Sequence, residues 1–110
     1  MDMENALAAF AALSQQTRLE TFRLLVKAGG QGLLAGEIAA KLGVLQNTLS
    51  SNLSILTNAG LIRSEREGRA IRYFIRAEGM RGLLAYLMED CCGGRPELCQ
   101  PVLKELADVC

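Results

Sequence analysis

The fold is decided by residues 37–56, which read EIAAKLGVLQNTLSSNLSIL. The first part predicts a short helix over about residues 35–42, and Gly43 ends it because glycine readily adopts the backbone conformation found at helix C-termini. A longer helix is predicted over about residues 46–58 because its leucines recur at helical spacing, at Leu49, Leu53 and Leu56. Two helices joined by a short turn that contains glycine form a helix-turn-helix.

The outward face of this second helix is polar but uncharged. It carries short hydrogen-bonding side chains at Gln46, Asn47, Thr48, Ser50, Ser51, Asn52 and Ser54. Such side chains read base edges in the major groove of DNA, and Asn and Gln suit adenine best. The alternative is a solvated helix face, but surface helices usually carry Lys and Glu, and this helix carries neither. The pattern therefore favours a helix that reads double-stranded DNA.

An arginine-rich β-hairpin follows. Residues 61–65 are extended in character, residues 71–75 are rich in strand formers, and Gly68 lies in the turn between them. Six arginines minus three glutamates leave a local charge of +3; the arginines are Arg63, Arg66, Arg69, Arg72, Arg76 and Arg81. Arginines on a protruding hairpin suit phosphate contact or a narrow minor groove, although pairing with neighbouring glutamates is the alternative. After a helix-turn-helix the hairpin is predicted to be a wing that contacts DNA through Arg69 and Arg72.

Further helices are predicted on both sides of this unit. Apolar spacing places them over residues 3–13, from an N-cap at Ser14 to about residue 28, over about 80–90 and over about 95–110. The fold class is therefore mainly α with a small two-stranded β-hairpin wing, in a single domain over residues 1–110.

The first helix and the helix over residues 80–90 carry more apolar side chains than one small core needs, so a twofold dimer is predicted. These side chains are Leu7, Phe10, Leu83, Leu84 and Leu87.

Composition excludes several classes of function. The 110 residues contain no histidine, which rules out imidazole catalysis and every metal site that needs histidine. Twelve basic residues balance twelve acidic ones, so net charge predicts no partner. The N-terminus is acidic where a signal peptide is positive, and the longest uncharged run, residues 42–62, is too polar to span a bilayer. We therefore expect a cytoplasmic protein without membrane contact, whose four cysteines are thiols.

Three of the four cysteines are clustered, at Cys91, Cys92 and Cys99. Core packing explains one of them, but not an adjacent pair followed by a turn and a third cysteine. Neighbours on an intact helix point about 100° apart, so convergence needs a frayed helix end, which Gly93 and Gly94 supply. Structural zinc takes four ligands at wider spacing, whereas a soft trivalent centre such as As(III) or Sb(III) is satisfied by three thiolates. A redox or persulfide switch through the same thiols is the main alternative.

Together these elements resemble the ArsR/SmtB family of winged-helix repressors. The resemblance is carried by residues 37–56, by Ala59-Gly60-Leu61-Ile62 and by the wing at residues 66–73, and it extends over about residues 5–90. It implies a homodimer whose first and last helices form the interface. It also implies repression that an inducer relieves.

Departures from other members of that family indicate the inducer. Many arsenic-responsive members have a cysteine site on the third helix, and zinc and nickel sensors use histidine; this chain has neither. Persulfide-sensing members usually have a cysteine near the second helix, which is also absent. What remains resembles the subgroup whose As(III) site follows the last long helix. That site carries over to Cys91, Cys92 and Cys99, but not to Cys110.

We therefore predict a cytoplasmic, dimeric repressor that leaves operator DNA when As(III), or Sb(III), binds an inducer segment at about residues 90–110. No organic cofactor is expected. The alternative within the same fold is a thiol-redox or persulfide-responsive repressor. A thiol enzyme is disfavoured because Arg95 lies too close to Cys91 and Cys92 for a Cys-x5-Arg phosphate loop, and no Cys-x-x-Cys pair occurs. A winged helix used only for protein contacts is disfavoured by the uncharged polar helix face.

Overall fold

The computed structural model describes residues 1–89, 93 and 95–109. The chain forms helices and short strands in the order α1 (Met3–Leu13), α2 (Gln16–Ala28), β1 (Leu33–Leu34), α3 (Ala35–Leu42), α4 (Gln46–Asn58), β2 (Ile62–Glu67), β3 (Ala70–Ile75), α5 (Ala77–Met88) and α6 (Pro96–Val109), with a short 3-10 turn at Gly29–Gln31 between α2 and β1. The bounds predicted for α1, α3 and α4 are confirmed residue for residue.

The helix-turn-helix consists of α3 and α4, which pack against each other and against α2. Large apolar side chains from these helices and from the start of β2 are almost fully buried: Leu25, Ile38, Leu49, Leu53, Leu56, Leu61 and Ile62. Gly43 closes α3 with φ 65°, a left-handed conformation that glycine adopts without a side-chain clash. The buried leucine stripe of α4 leaves its opposite face at the surface.

The predicted fold class, mainly α with a β-hairpin wing, is confirmed: β2 and β3 form the hairpin, and β1 adds a third strand to give an antiparallel sheet in the order β1-β3-β2. β2 and β3 pair from Ile62 opposite Ile75 to Glu67 opposite Ala70, and the chain turns between them. The third strand is the half-buried pair Leu33 and Leu34, which adds to the free edge of β3. A strand of two residues is too short to show a periodic pattern, so it cannot be predicted from hydrophobic spacing.

Helix ends differ from prediction in two places. Ser14 does not cap α2; its N–H and hydroxyl donate to carbonyl groups at the end of α1, and so it closes α1 instead. The N-cap of α2 is Gln15, whose Oε1 accepts the N–H of Arg18 at 2.9 Å. Helix α5 begins at Ala77, three residues before the predicted start at Met80, and the predicted end at Asp90 lies outside the described residues.

Helices α1, α5 and α6 present apolar side chains to solvent, as do Leu19 and Val26 of α2 and Ile55 of α4. On α1 and α5 these are Met3, Leu7, Phe10, Leu84 and Leu87, and on α6 they are Leu98, Val102, Leu103, Leu106 and Val109. Helix α1 buries only small residues against the rest of the chain, Ala6, Ala9 and Ala12, which bring it close to its neighbours. Helices α1 and α5 are in contact, and the Tyr86 hydroxyl lies 3.5 Å from the sulfur of Met3. In the described part of the chain no helix is long and apolar enough to cross a membrane.

Candidate nucleic-acid interface

The polar face of α4 that we predict to read DNA is exposed to solvent, with one exception. Its leucines face the core, and the side chains of Gln46, Asn47, Thr48, Ser50, Ser51 and Ser54 are exposed. The exposed set contains no charged group, so this face offers hydrogen bonds and not net charge to a binding partner. Asparagine, glutamine and serine supply both donors and acceptors, which is what base edges require.

Asn52 is the exception, and the prediction that it faces outward is wrong. Asn52 is only 7% exposed, and its Oδ1 accepts a hydrogen bond from Arg18 Nη1 at 3.0 Å. Asn52 lies three residues after Leu49 and one before Leu53, so it borders the buried stripe of the helix. Nothing local in the sequence marks this contact, because Arg18 and Asn52 are 34 positions apart.

Ion pairing divides the arginines of the wing into two groups. Each of the three glutamates pairs with one arginine: Glu65 with Arg63 at 2.7 Å, Glu67 with Arg72 at 2.7 Å, and Glu78 with Arg76 at 4.0 Å. Among the residues that the structure describes, Arg66, Arg69 and Arg81 have no ion pair. The uncompensated charge of the hairpin is therefore concentrated near its tip, at Arg66 and Arg69.

Arg72 is held on the sheet more firmly than the other wing arginines. Besides Glu67, it lies 3.9 Å from Glu37 of α3 and donates to the backbone carbonyl of Gln31 at 3.2 Å. The hydrogen bond with Glu67 raises the pKa of Arg72 above its already high ordinary value, so the guanidinium stays charged. These contacts tie the wing to α3 and to the turn before β1.

A cleft of about 570 Å³ separates the wing from the start of α4. Its polar walls include Gln46, Asn47 and Ser50 on one side and Arg69 on the other, while Leu34, Leu53 and Tyr73 are among its apolar lining. The unpaired cation at Arg69 is thus placed next to the exposed amides of α4. A phosphate group and a base edge could be contacted from this one region at the same time.

Comparison with known proteins agrees with this arrangement. A family described as "Helix-turn-helix domain" matches residues 13–65. The HTH-type transcriptional regulator YgaV of Escherichia coli K12 is 32% identical over 89 residues, which cover 81% of this chain and 88% of that protein. An ArsR-like transcriptional regulator from Rhodococcus sp. RHA1 is 28% identical with a TM-score of 0.68, over 94% of this chain and 93% of that one. This chain belongs to the ArsR family of winged helix-turn-helix transcriptional regulators.

A further solved structure is similar in fold. The homodimeric winged helix-turn-helix DNA-binding domain Mb0332 from Mycobacterium bovis has a TM-score of 0.65, with 24% identity over 84% of this chain and 86% of that chain. At this identity the likeness shows the fold alone. In the ArsR fold, α4 is the second helix of the helix-turn-helix and the β2–β3 hairpin is the wing.

The predicted inducer site lies mostly outside the described residues. Cys91, Cys92 and Cys110 are not described, whereas Cys99 is half-buried on α6 and disulfide-bonded. This state of Cys99 differs from the expectation that the cysteines are thiols. Within residues 1–89, 93 and 95–109, no group of three His, Cys, Asp or Glu side chains could hold a metal ion. The three-cysteine site stays a prediction from the sequence.

Proposed function

We propose that this ArsR-family chain is a cytoplasmic repressor that binds double-stranded operator DNA as a homodimer and leaves it when As(III) binds. The observation that supports DNA binding most directly is the cleft where exposed amides of α4 meet an unpaired wing arginine. The proposed base and phosphate contacts come from Gln46, Asn47, Thr48, Ser50 and Ser51 on α4 and from Arg69 on the wing. Arg72 holds the wing in place; its ion pairs with Glu67 and Glu37 offset its charge, so its proposed contact with the DNA backbone is the weaker of the two wing contacts.

The proposed dimer uses the outer faces of α1 and α5. Leu7 is 60% exposed and Leu87 is 52% exposed, although both lie on helices whose other faces are buried. A second copy that covers these faces removes apolar surface from water, at about 25 cal/mol per Å². Twofold symmetry would place two α4 helices in successive major grooves, about 34 Å apart.

The proposed inducer is As(III), or Sb(III), bound by Cys91, Cys92 and Cys99. Arsenous acid exchanges its three hydroxyl groups for three thiols and releases three waters, so no electron is transferred and the As(III) unit is neutral. Sulfur is the ligand that soft centres prefer, and the chain has no histidine with which to build a histidine-containing zinc or nickel site. Because Cys99 lies on α6, binding would draw the start of α6 towards the segment after α5.

A second candidate is a thiol-redox or persulfide-responsive repressor. The observation that favours it is the disulfide bond of Cys99. A disulfide and an As(III) complex exclude each other at this cysteine, because As(III) needs the reduced thiolate. Oxidant and As(III) can therefore be tested as inducers of the same protein.

The proposed function is tested with DNA that the protein itself selects. Wild-type protein is used to enrich a duplex from a pool of random sequences, here called the selected duplex, and a scrambled duplex of the same composition is the control. We expect reduced protein to bind the selected duplex preferentially and to release it on addition of As(III). Failure to enrich any sequence would contradict operator binding. Release by oxidant but not by As(III) would favour the redox candidate.

A further inference from the structure

Arg18, near the start of α2, contacts two other helices through its guanidinium group. Its Nε donates to the backbone carbonyl of Ala12 at 2.6 Å, and its Nη2 lies 3.5 Å from the carbonyl of Ala11. Its Nη1 donates to Asn52 Oδ1 at 3.0 Å. One side chain therefore connects the C-terminal end of α1 with the middle of α4.

Two of these acceptors depend on the cation, the Ala12 carbonyl and Asn52 Oδ1, whereas the Ala11 carbonyl also accepts from the Ser14 hydroxyl. The last carbonyl groups of a helix have no partner within the helix and carry partial negative charge, which a guanidinium neutralises. The Asn52 side chain is buried, and a buried amide without a hydrogen bond is costly. A lysine cannot reproduce the contacts, because its ammonium is a single point charge while the guanidinium is a planar fork with five donors.

We propose that Arg18 is a positioning residue that fixes the DNA-reading helix α4 relative to α1 through Asn52. The inference rests on the proposed function for its consequence, because the outer face of α1 carries Leu7 and Phe10 at the proposed dimer interface. A shift of α1 between two states of the dimer reaches α4 through the Arg18–Asn52 bond. Asn52 acts in DNA binding without touching DNA.

Two single substitutions on α4, each of an asparagine by aspartate, distinguish a positioning role from a role in base reading. In Asn52→Asp the new carboxylate still accepts from Arg18 and forms an ion pair with it, so we expect affinity for the selected duplex within about threefold of wild type. The matched control is Asn47→Asp, which places a negative charge on the exposed face of the same helix. We expect that variant to bind at least about tenfold more weakly, because the charge opposes phosphates and a carboxylate cannot donate to a base.

Asn52→Ala removes the acceptor, and we expect it to weaken binding to the selected duplex about tenfold while it stays folded. A double-mutant cycle with Arg18→Lys then tests the link directly. We expect Arg18→Lys to weaken DNA binding much less in the Asn52→Ala background than in the wild-type background. The same cycle, measured on urea unfolding without DNA, reports whether the two side chains interact at all.

Different results count against different claims. A folded Asn52→Asp variant that loses as much affinity as Asn47→Asp would overturn the inference, because Asn52 would then read DNA itself. Coupling in unfolding but additive effects on DNA binding would also overturn it, since the contact would be structural only. If no duplex is selected by the wild-type protein, the proposed function fails; if a duplex is selected and the cycle is additive, only the role of Arg18 fails.

Discussion

Gly79, in the first turn of α5, lies directly against the backbone carbonyl of Gly60 in the turn that follows α4. A Cβ atom at position 79 would collide with that carbonyl oxygen, and backbone atoms cannot move aside as a flexible side chain can. The close approach joins the end of α4 to α5, one of the helices that expose apolar side chains.

We therefore expect Gly79→Ala to lower the free energy of unfolding by about 1–3 kcal/mol, as overpacked sites do. Urea denaturation followed by circular dichroism measures the change. The matched control is Gly82→Ala on the same helix, where a Cβ meets only the flexible side chain of Met1, with its nearest atom at 3.4 Å. That variant should be as stable as wild type or up to about 1 kcal/mol more stable, because alanine favours helix. Equal stability of the two variants would contradict the close approach.

The wing predicts different effects for two arginines. Arg69→Ala removes an unpaired cation at the cleft beside α4, so binding should weaken on the selected and the scrambled duplex alike. The slope of log affinity against log salt should become shallower by about 0.9 for each lost phosphate contact. Arg72→Ala should change that slope less, because Glu67 and Glu37 already compensate its charge. Titrations at several salt concentrations give both slopes, and a larger change for Arg72→Ala would reverse the assignment.

The start of α4 predicts a stabilising substitution. Leu45 is the N-cap residue, it is 76% exposed, and its side chain makes no capping hydrogen bond. Its φ of −71° and ψ of 143° are extended, which suits a capping serine. Leu45→Ser should raise the free energy of unfolding by about 1 kcal/mol, while Leu45→Ala, which removes the same leucine without adding an acceptor, should not. If urea denaturation shows equal stability for both variants, water already accepts hydrogen bonds from the backbone N–H groups in the first turn of α4.

Helices with regularly spaced apolar residues can be predicted from the sequence. The spacing of Leu49, Leu53 and Leu56 predicts α4, and Gly43 predicts the end of α3. Features that depend on a contact between distant residues cannot be predicted in this way. Asn52 has the same local pattern as its exposed polar neighbours, and only the distant Arg18 explains its burial. The choice between Ser14 and Gln15 as the cap of α2 likewise depended on which side chain the end of α1 recruits.

The apolar face of α1 predicts an effect on assembly without an effect on folding. Leu7→Glu should give a folded monomer, because Leu7 is exposed in the single chain and a carboxylate at a dimer interface is not tolerated. Sedimentation velocity measures the assembly, and affinity for the selected duplex should fall with it because one half-site contact is lost. Leu19→Glu, which changes an exposed leucine of α2, is the control and should stay dimeric. A dimeric Leu7→Glu protein would place the interface elsewhere.

We propose that As(III) releases the repressor through three cysteines, and an As(III) titration of fully reduced protein bound to a fluorescent selected duplex tests this proposal directly. Wild type and Cys110→Ser should both release the DNA, while Cys92→Ser should stay bound at the same concentrations. The DNA-bound dimer should bind As(III) about five- to 150-fold more weakly than the free dimer, since coupling between two sites is reciprocal. If Cys92→Ser leaves the DNA at the As(III) concentrations that release the wild-type protein, the three-thiolate site is contradicted.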